Sequence, residues 1–341
     1  MAIYTKEEAR KILEKALSFS KADACEINLG GSNSGNIRYA RNSVSTSGYS
    51  SNQSLAVQSS FGKKSGTATI DEFDDASLEK VVRRAEELAQ LSPENPEFME
   101  PLGPQSYDES ISFDEATASV SPEYRAEVAK SSIEPAAAKD VTAAGYFNDS
   151  DGFRAMINSK GLFAYNRATN TDFTVTMRTN DGTGSGWVSR DFNDISKFDA
   201  SEASKIAIEK AVLSKEAKAI EPGKYTVILE PAAASDLLQN MFRSFNARSA
   251  DEGRSFMSAP DGGNKLGQKI VDERVSIWTD PLNPDVPTAT WNGEGQPLKK
   301  TMFVENGVVK NLAYSRYWAE QKGVEPVPFP SNAIMAGGDA S

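Results

Sequence analysis

The spacing of apolar residues along this chain changes several times, and each change marks an element. Thr5-Lys-Glu-Glu8 is a capping box, and Ala9, Ile12, Leu13, Ala16 and Leu17 then share one helical face, which predicts a helix over residues 5–19. From Ala24 the period becomes two. Cys25, Ile27 and Leu29 alternate with Glu26 and Asn28, and further β-like runs separated by Gly and Asn reach Ile70, a pattern that predicts a meander. A second helix begins near Asp75 and puts Leu78, Val81, Val82, Ala85, Leu88 and Ala89 on one stripe. Pro93, Pro96, Pro101 and Pro104 cannot continue it, so residues 92–118 read as a linker or a draped loop.

The order then recurs. Ser121-Pro122-Glu123 supplies an N-cap with proline at the first helical position, predicting a helix to about 139 with a kink or break at Pro135. Alternating runs at 141–147, 153–159, 162–168, 171–178 and 185–192 predict strands, and Asp199-Ala-Ser-Glu202 opens a helix with Ala203, Ile206, Ala207 and Val212 inward. Residues 5–91 and 121–216 thus share the order helix, strands, helix, without a residue-level repeat. Beyond the Glu221-Pro-Gly223 turn, Lys224–Leu229 predicts a strand. Pro231–Phe245 has helical spacing at Ala234, Leu237, Leu238, Met241 and Phe245, and Val275–Trp278 predicts a strand. Met302–Val309 predicts a hairpin centred on Asn306-Gly307. The fold class expected is α+β, with N-terminal helices packed on mixed or antiparallel sheets and a strand-rich C-terminal domain. The boundaries are a unit at 1–91, a Pro-rich linker at 92–118, a second unit at 119–220 and the C-terminal domain at 221–341.

Charge and composition narrow the chemistry. The 341 residues carry 37 Lys+Arg against 48 Asp+Glu, a net charge of −11 that opposes direct nucleic-acid binding. No run approaches the ~20 apolar residues needed to span a bilayer, and the MAIYTKEEARK start lacks a hydrophobic signal core, so a cytoplasmic protein without a membrane partner is expected. There is no histidine and one cysteine, Cys25. This excludes from the chain any Ser-His-Asp or Cys-His site, any His-ligated zinc and any internal disulfide. Cys25 lies on the apolar side of its strand and reads as core. The glycines of Asn180–Gly186 precede a strand rather than a helix, so they read as a hairpin loop and not a phosphate cradle. The carboxylate pairs Asp74/Asp75, Asp149/Asp151, Asp251/Glu252 and Asp272/Glu273 read as solvent-facing.

The most informative segment is Leu237–Phe256, LLQNMFRSFNARSADEGRSF, followed by Leu266-Gly-Gln-Lys-Ile270, Asp280-Pro281 and Gly293-Glu-Gly-Gln-Pro297. Here the chain resembles the TldD/PmbA family, named for modulation of DNA gyrase. The resemblance extends to Ala24–Gly66, Leu78–Pro96, Glu305–Lys310 and Ser331–Ser341, so it covers essentially the whole chain. The TldD-type member is a zinc metalloprotease whose helix after the Leu-Leu pair carries His-Glu-x-x-x-His, completed by a cysteine near the C-terminus. Aligning on Leu237-Leu238 puts Gln239, Asn240 and Ser244 at those three positions; a one-residue shift gives Leu238, Gln239 and Arg243. Neither register supplies a zinc ligand set.

The resemblance is therefore to the PmbA/TldE type, which lacks the motif. It implies a non-catalytic subunit of a heterodimeric peptidase, supplying chamber wall and peptide-binding surface for unfolded peptides. No cofactor is expected in this chain, and zinc only in a TldD-type partner. Two alternatives remain: a metallopeptidase whose site is completed beyond Ser341, or a homodimeric peptide-binding protein. Family members continue past the Gly337–Ser341 segment, so the chain reads as truncated, with Asp339 an N-cap whose helix is missing. Substrate-facing candidates at the degenerate motif are Gln239, Asn240, Arg243 and Ser244, with no catalytic role; the plainer reading makes them the polar side of an amphipathic helix.

Overall fold

A computed structural model describes residues 3–336; the Gly337–Ser341 segment and the expected Asp339 N-cap lie outside them. The first helix, α1 (Lys6–Ser18), starts at the capping box: Glu8 N–H donates to Thr5 Oγ1 at 3.3 Å and Thr5 N–H donates to the Glu8 carboxylate at 2.8 Å. The meander follows as β1 (Ala24–Ala40), β2 (Ser43–Phe61) and β3 (Lys64–Ile70), then α2 (Asp75–Leu91) capped by Asp74. After α3 (Glu115–Ala118) come α4 (Pro122–Ala137), β4 (Val141–Asn158), β5 (Phe163–Thr179), β6 (Ser185–Phe192) and α5 (Ala200–Leu213). Pro135 lies within α4, which continues to Ala137.

All six strands join one antiparallel sheet in the order β3-β2-β1-β4-β5-β6. The short runs expected at 141–159 and 162–178 fuse into two long strands. Their polar middles stay in the ladder because neighbours exist on both sides: Asp151 pairs with Asn33 on β1 and with Thr169 on β5.

One face of the sheet carries the helices. Under α1 and α2, Leu13, Val81 and Val82 pack on Cys25, Ile27, Leu29 and Leu55. Under α4 and α5, Val128, Ala203 and Ala207 pack on Tyr39, Phe147, Phe173 and Val188. Cys25 is buried as expected, and desolvation pushes its thiol pKa up. Between the two apolar clusters lies a polar belt. Asp149 accepts from Arg125 Nε at 2.5 Å and Nη2 at 2.8 Å; Asp151 accepts from Arg167 Nε at 3.0 Å and Nη2 at 2.8 Å. Asp149 and Asp151 are 6% and 8% exposed, which corrects the solvent-facing expectation for that pair. Alternation within β4 turns both toward the helices, where arginines neutralise them.

Two further expectations are corrected. Val212 is 44% exposed, because α5 turns Ala203, Ala207 and Ala211 onto the sheet, where a Cβ on Gly186 would stand 2.1 Å from the Ala207 carbonyl oxygen. Lys224–Leu229 forms no strand and is exposed throughout, Ile228 at 96%. An extended run needs a ladder partner, and the described residues give it none.

Residues 93–114 drape over the sheet rather than hang free: Asn95 N–H donates to Lys63 O at 2.9 Å, and Asn158 Nδ2 to Leu102 O at 2.9 Å. The remaining region holds α6 (Pro231–Arg243), α7 (Ala247–Asp251), β7 (Ile277–Thr279), β8 (Thr301–Glu305), β9 (Val308–Val309), α8 (Arg316–Lys322) and β10 (Ile334–Met335). The four strands form a sheet ordered β10-β7-β8-β9. Its β8–β9 hairpin turns at Asn306 (φ 50°) and Gly307 (φ 79°), as the sequence predicts.

Candidate functional site

The helix at the degenerate motif is α6. Pro231 occupies its first turn, where a missing N–H costs nothing. Its apolar stripe faces inward: Leu238, Met241 and Phe242 pack with Phe245 and Phe303, whose rings lie 5.3 Å apart. Gln239, Asn240 and Arg243 are exposed, and Ser244 is the C-cap. Helical spacing sets Gln239 beside Arg243 and Asn240 beside Ser244. Their hydrogen bonds stay within the helix: Gln239 Nε2 to Ser235 Oγ at 3.4 Å and Asn240 Nδ2 to Asp236 O at 2.9 Å. The Ser244 carbonyl accepts from Ser255 Oγ at 2.6 Å.

These groups do not fit zinc. Amides, a guanidinium and a hydroxyl replace the imidazoles and carboxylate that hold such an ion and polarise its water. No group of three or more His, Cys, Asp or Glu side chains able to hold a metal occurs among the described residues.

A pronounced concavity lies elsewhere, on the sheet face away from the helices. It is a groove of about 890 Å³ between β1, β2, β4 and β5 and the loops at 288–298 and 329–331. None of the four α6 candidates lines it. Its floor follows from register. Gly30 pairs with Ser54 and Arg154, and Arg154 pairs with Asn166, so these positions share one face. That face is polar because the other takes both hydrophobic clusters; strand alternation leaves Ser, Asn and Gly here.

The wall is Trp291, 2% exposed, packed with Met156, Leu162 and Ala164. Arg154 lies over its ring at 4.2 Å and donates from Nη2 to the Trp291 carbonyl at 2.6 Å. The Trp291 Nε1 donor and the Asn166 Oδ1 acceptor are buried and have no hydrogen-bond partner among the described residues. Tyr107 Oη donates to Gly295 O at 2.7 Å, pinning the draped segment to the same loop, and burial pushes its pKa up to about 12. Arg154 and Trp291 carry no local sequence signature, since 137 residues separate them. Strand alternation does place Arg154 on the polar face of β4.

Three domain descriptions match the chain in order: PmbA/TldA metallopeptidase domain 1 over residues 25–89, the central domain over 100–215 and the C-terminal domain over 222–335. The chain belongs to the PmbA/TldD metallopeptidase family. A metalloprotease of Methanothermobacter thermautotrophicus is 27% identical over 200 residues, 56% of this chain and 42% of the relative. A protein of Methanocaldococcus jannaschii is 30% identical over 174 residues, 50% of this chain and 39% of the relative. The chain thus aligns with about two fifths of the length of these curated relatives.

Among solved structures, a candidate modulator of DNA gyrase from Thermotoga maritima superposes with a TM-score of 0.87 at 20% identity, covering 98% of this chain and 78% of that one. TldE from Thermococcus kodakarensis superposes at 0.82 and 18% identity, with the same coverages of 98% and 78%. At such identities the likeness shows the α+β fold. No helix among the described residues is long and apolar enough to cross a membrane.

Proposed function

We propose that this chain is a non-catalytic subunit of a cytoplasmic TldD/PmbA-type metallopeptidase complex. It supplies chamber wall and peptide-binding surface to a zinc-bearing homologue that cuts unfolded peptides. The observation that carries this reading is the motif helix, α6, which keeps its apolar stripe while Gln239, Asn240, Arg243 and Ser244 stand where ligands and general base would be, in a chain with no histidine. The helix remains a structural part and the metal chemistry belongs to the partner. Net charge of −11 gives no support to a direct role on DNA.

The test is co-expression with a homologue carrying His-Glu-x-x-x-His. A stable complex whose chelator-sensitive peptidase activity exceeds that of the homologue alone is expected. Failure to associate refutes the reading. So does chelator-sensitive activity, with bound zinc, in the chain purified alone without a His-tag.

A further inference from the structure

The groove on the polar sheet face has one electrostatic peculiarity. Among the described residues, Arg154 is the only charged one lining it. The arginines on the opposite face, Arg125 and Arg167, are each held by a buried aspartate, but Arg154 has no ion pair among the described residues. It contacts the Trp291 carbonyl and the Trp291 ring, which use one N–H and leave the rest of the guanidinium fork without an acceptor among the described residues. The side chain is nevertheless exposed to the groove. Desolvation pulls its pKa down, yet a guanidinium stays charged throughout the accessible range. In a chain of net charge −11, an open, unpaired cation in a groove without carboxylates is a selective place for an anion.

The groove also limits what that anion can be attached to. Beside Arg154 the floor is Gly30, where an added Cβ would meet only the Phe153 carbonyl oxygen, at 3.5 Å. Next to it stands Ser54 on β2, an exposed neutral group that donates and accepts, while Asn166 on β5 is buried. Such a floor suits an extended main chain, and the half-exposed ring of Phe329 suits an apolar side chain. A single fork matches one carboxylate in bidentate geometry, whereas polyphosphates call for several cations or a helix N-terminus.

We infer that this groove binds peptides with Arg154 pairing a peptide carboxylate, supplied by a free C-terminus or an acidic side chain. The inference rests on the peptide-handling part of the proposed function and adds the ligand's chemistry. Arg154 is a binding and specificity residue here, with no part in bond cleavage.

Fluorescence anisotropy with the purified chain tests it, using three labelled probes: a neutral hexapeptide with a free C-terminus, the same peptide amidated, and the amidated peptide with one internal Glu. The free-terminus probe should bind at least about tenfold more tightly than the neutral amide, as one charge-assisted pair implies. Arg154→Gln should remove that difference, and Arg154→Lys should keep part of it. Gly30→Leu, whose Cβ would meet only the Phe153 carbonyl oxygen at 3.5 Å, fills the floor, retains Arg154 and should weaken all probes. The Glu probe separates the sources. Tightness equal to the free terminus means any carboxylate is read, and weakness equal to the neutral amide means the chain end is read. Equal binding of free and amidated probes, a preference that survives Arg154→Gln, or no peptide binding overturns the inference. A complex that forms and cuts peptides without carboxylate preference overturns it while leaving the subunit reading intact. A carboxylate-reading chain that pairs with no homologue does the reverse.

Discussion

Asp149→Ala gives the sharpest test of how the sheet holds two helix pairs. Asp149 and Arg125 sit between the two apolar clusters with side chains 9% and 7% exposed, so solvent screening is slight. Removing the carboxylate takes away both charge-assisted bonds, at 2.5 and 2.8 Å, and leaves the guanidinium with only the Val120 carbonyl at 3.2 Å. Breaking a buried pair from one side costs about 3–5 kcal/mol, because the remaining charge stays desolvated. Urea unfolding at 25 °C followed by circular dichroism reads that loss. The double variant Arg125→Met with Asp149→Ala removes both charges and should cost less than Asp149→Ala alone; with Arg125→Met it closes a cycle whose interaction energy should be several kcal/mol. Arg84→Ala, at a pair whose side chains are 61% and 63% exposed, should leave the midpoint unchanged. If the losses of the two core substitutions simply add, the pair is not coupled and the belt argument fails.

Two further outcomes follow from the core. Burial pushes the Tyr39 phenol up to about 12, against a hydrogen bond to Ser132 Oγ at 2.7 Å. A raised folded pKa contributes stability fully present below the unfolded value near 10 and lost as pH rises through about 12. Tyr39→Phe should therefore cost about 1 kcal/mol at neutral pH and flatten the alkaline decline in a pH series of unfolding midpoints; an unchanged decline refutes this. Gly66→Ala would put a Cβ 2.2 Å from Ala89 N and 2.5 Å from Ala85 O, both backbone atoms of α2. The helix must lift from β3, so a loss of about 1–3 kcal/mol is expected, and a neutral result in the same urea assay shows that the contact gives way freely.

Much of the fold is legible in the sequence because its signals are local. The Thr5–Glu8 box, Asp74, Ser121-Pro122 and Asn306-Gly307 act within four residues of themselves, and each marks an observed helix start or turn. Period-two alternation likewise places Cys25 in the core before any partner strand is known. Alternation does not tell which face is wet when Asp149 and Asp151 alternate with Asn148 and Ser150, all of them polar. That choice came from Arg125 and Arg167, 24 and 16 residues away, which make burial affordable for the acids. Lys224–Leu229 shows the opposite failure: a sound strand pattern without a neighbour to bond among the described residues.

The candidate site divides in the same way. Composition alone removed histidine, and with it any His-ligated zinc built from these 341 residues, since a missing ligand type cannot be restored by folding. Spacing set Gln239, Asn240, Arg243 and Ser244 on the outer side of α6, because helix periodicity is a local property. The groove was decided by tertiary structure. Gly30, Ser54, Arg154 and Asn166 meet through strand register, and Trp291 closes over Arg154 from 137 residues further along the chain. Side-chain chemistry is carried residue by residue in the sequence, whereas whether a cation finds a partner depends on which distant backbone arrives beside it.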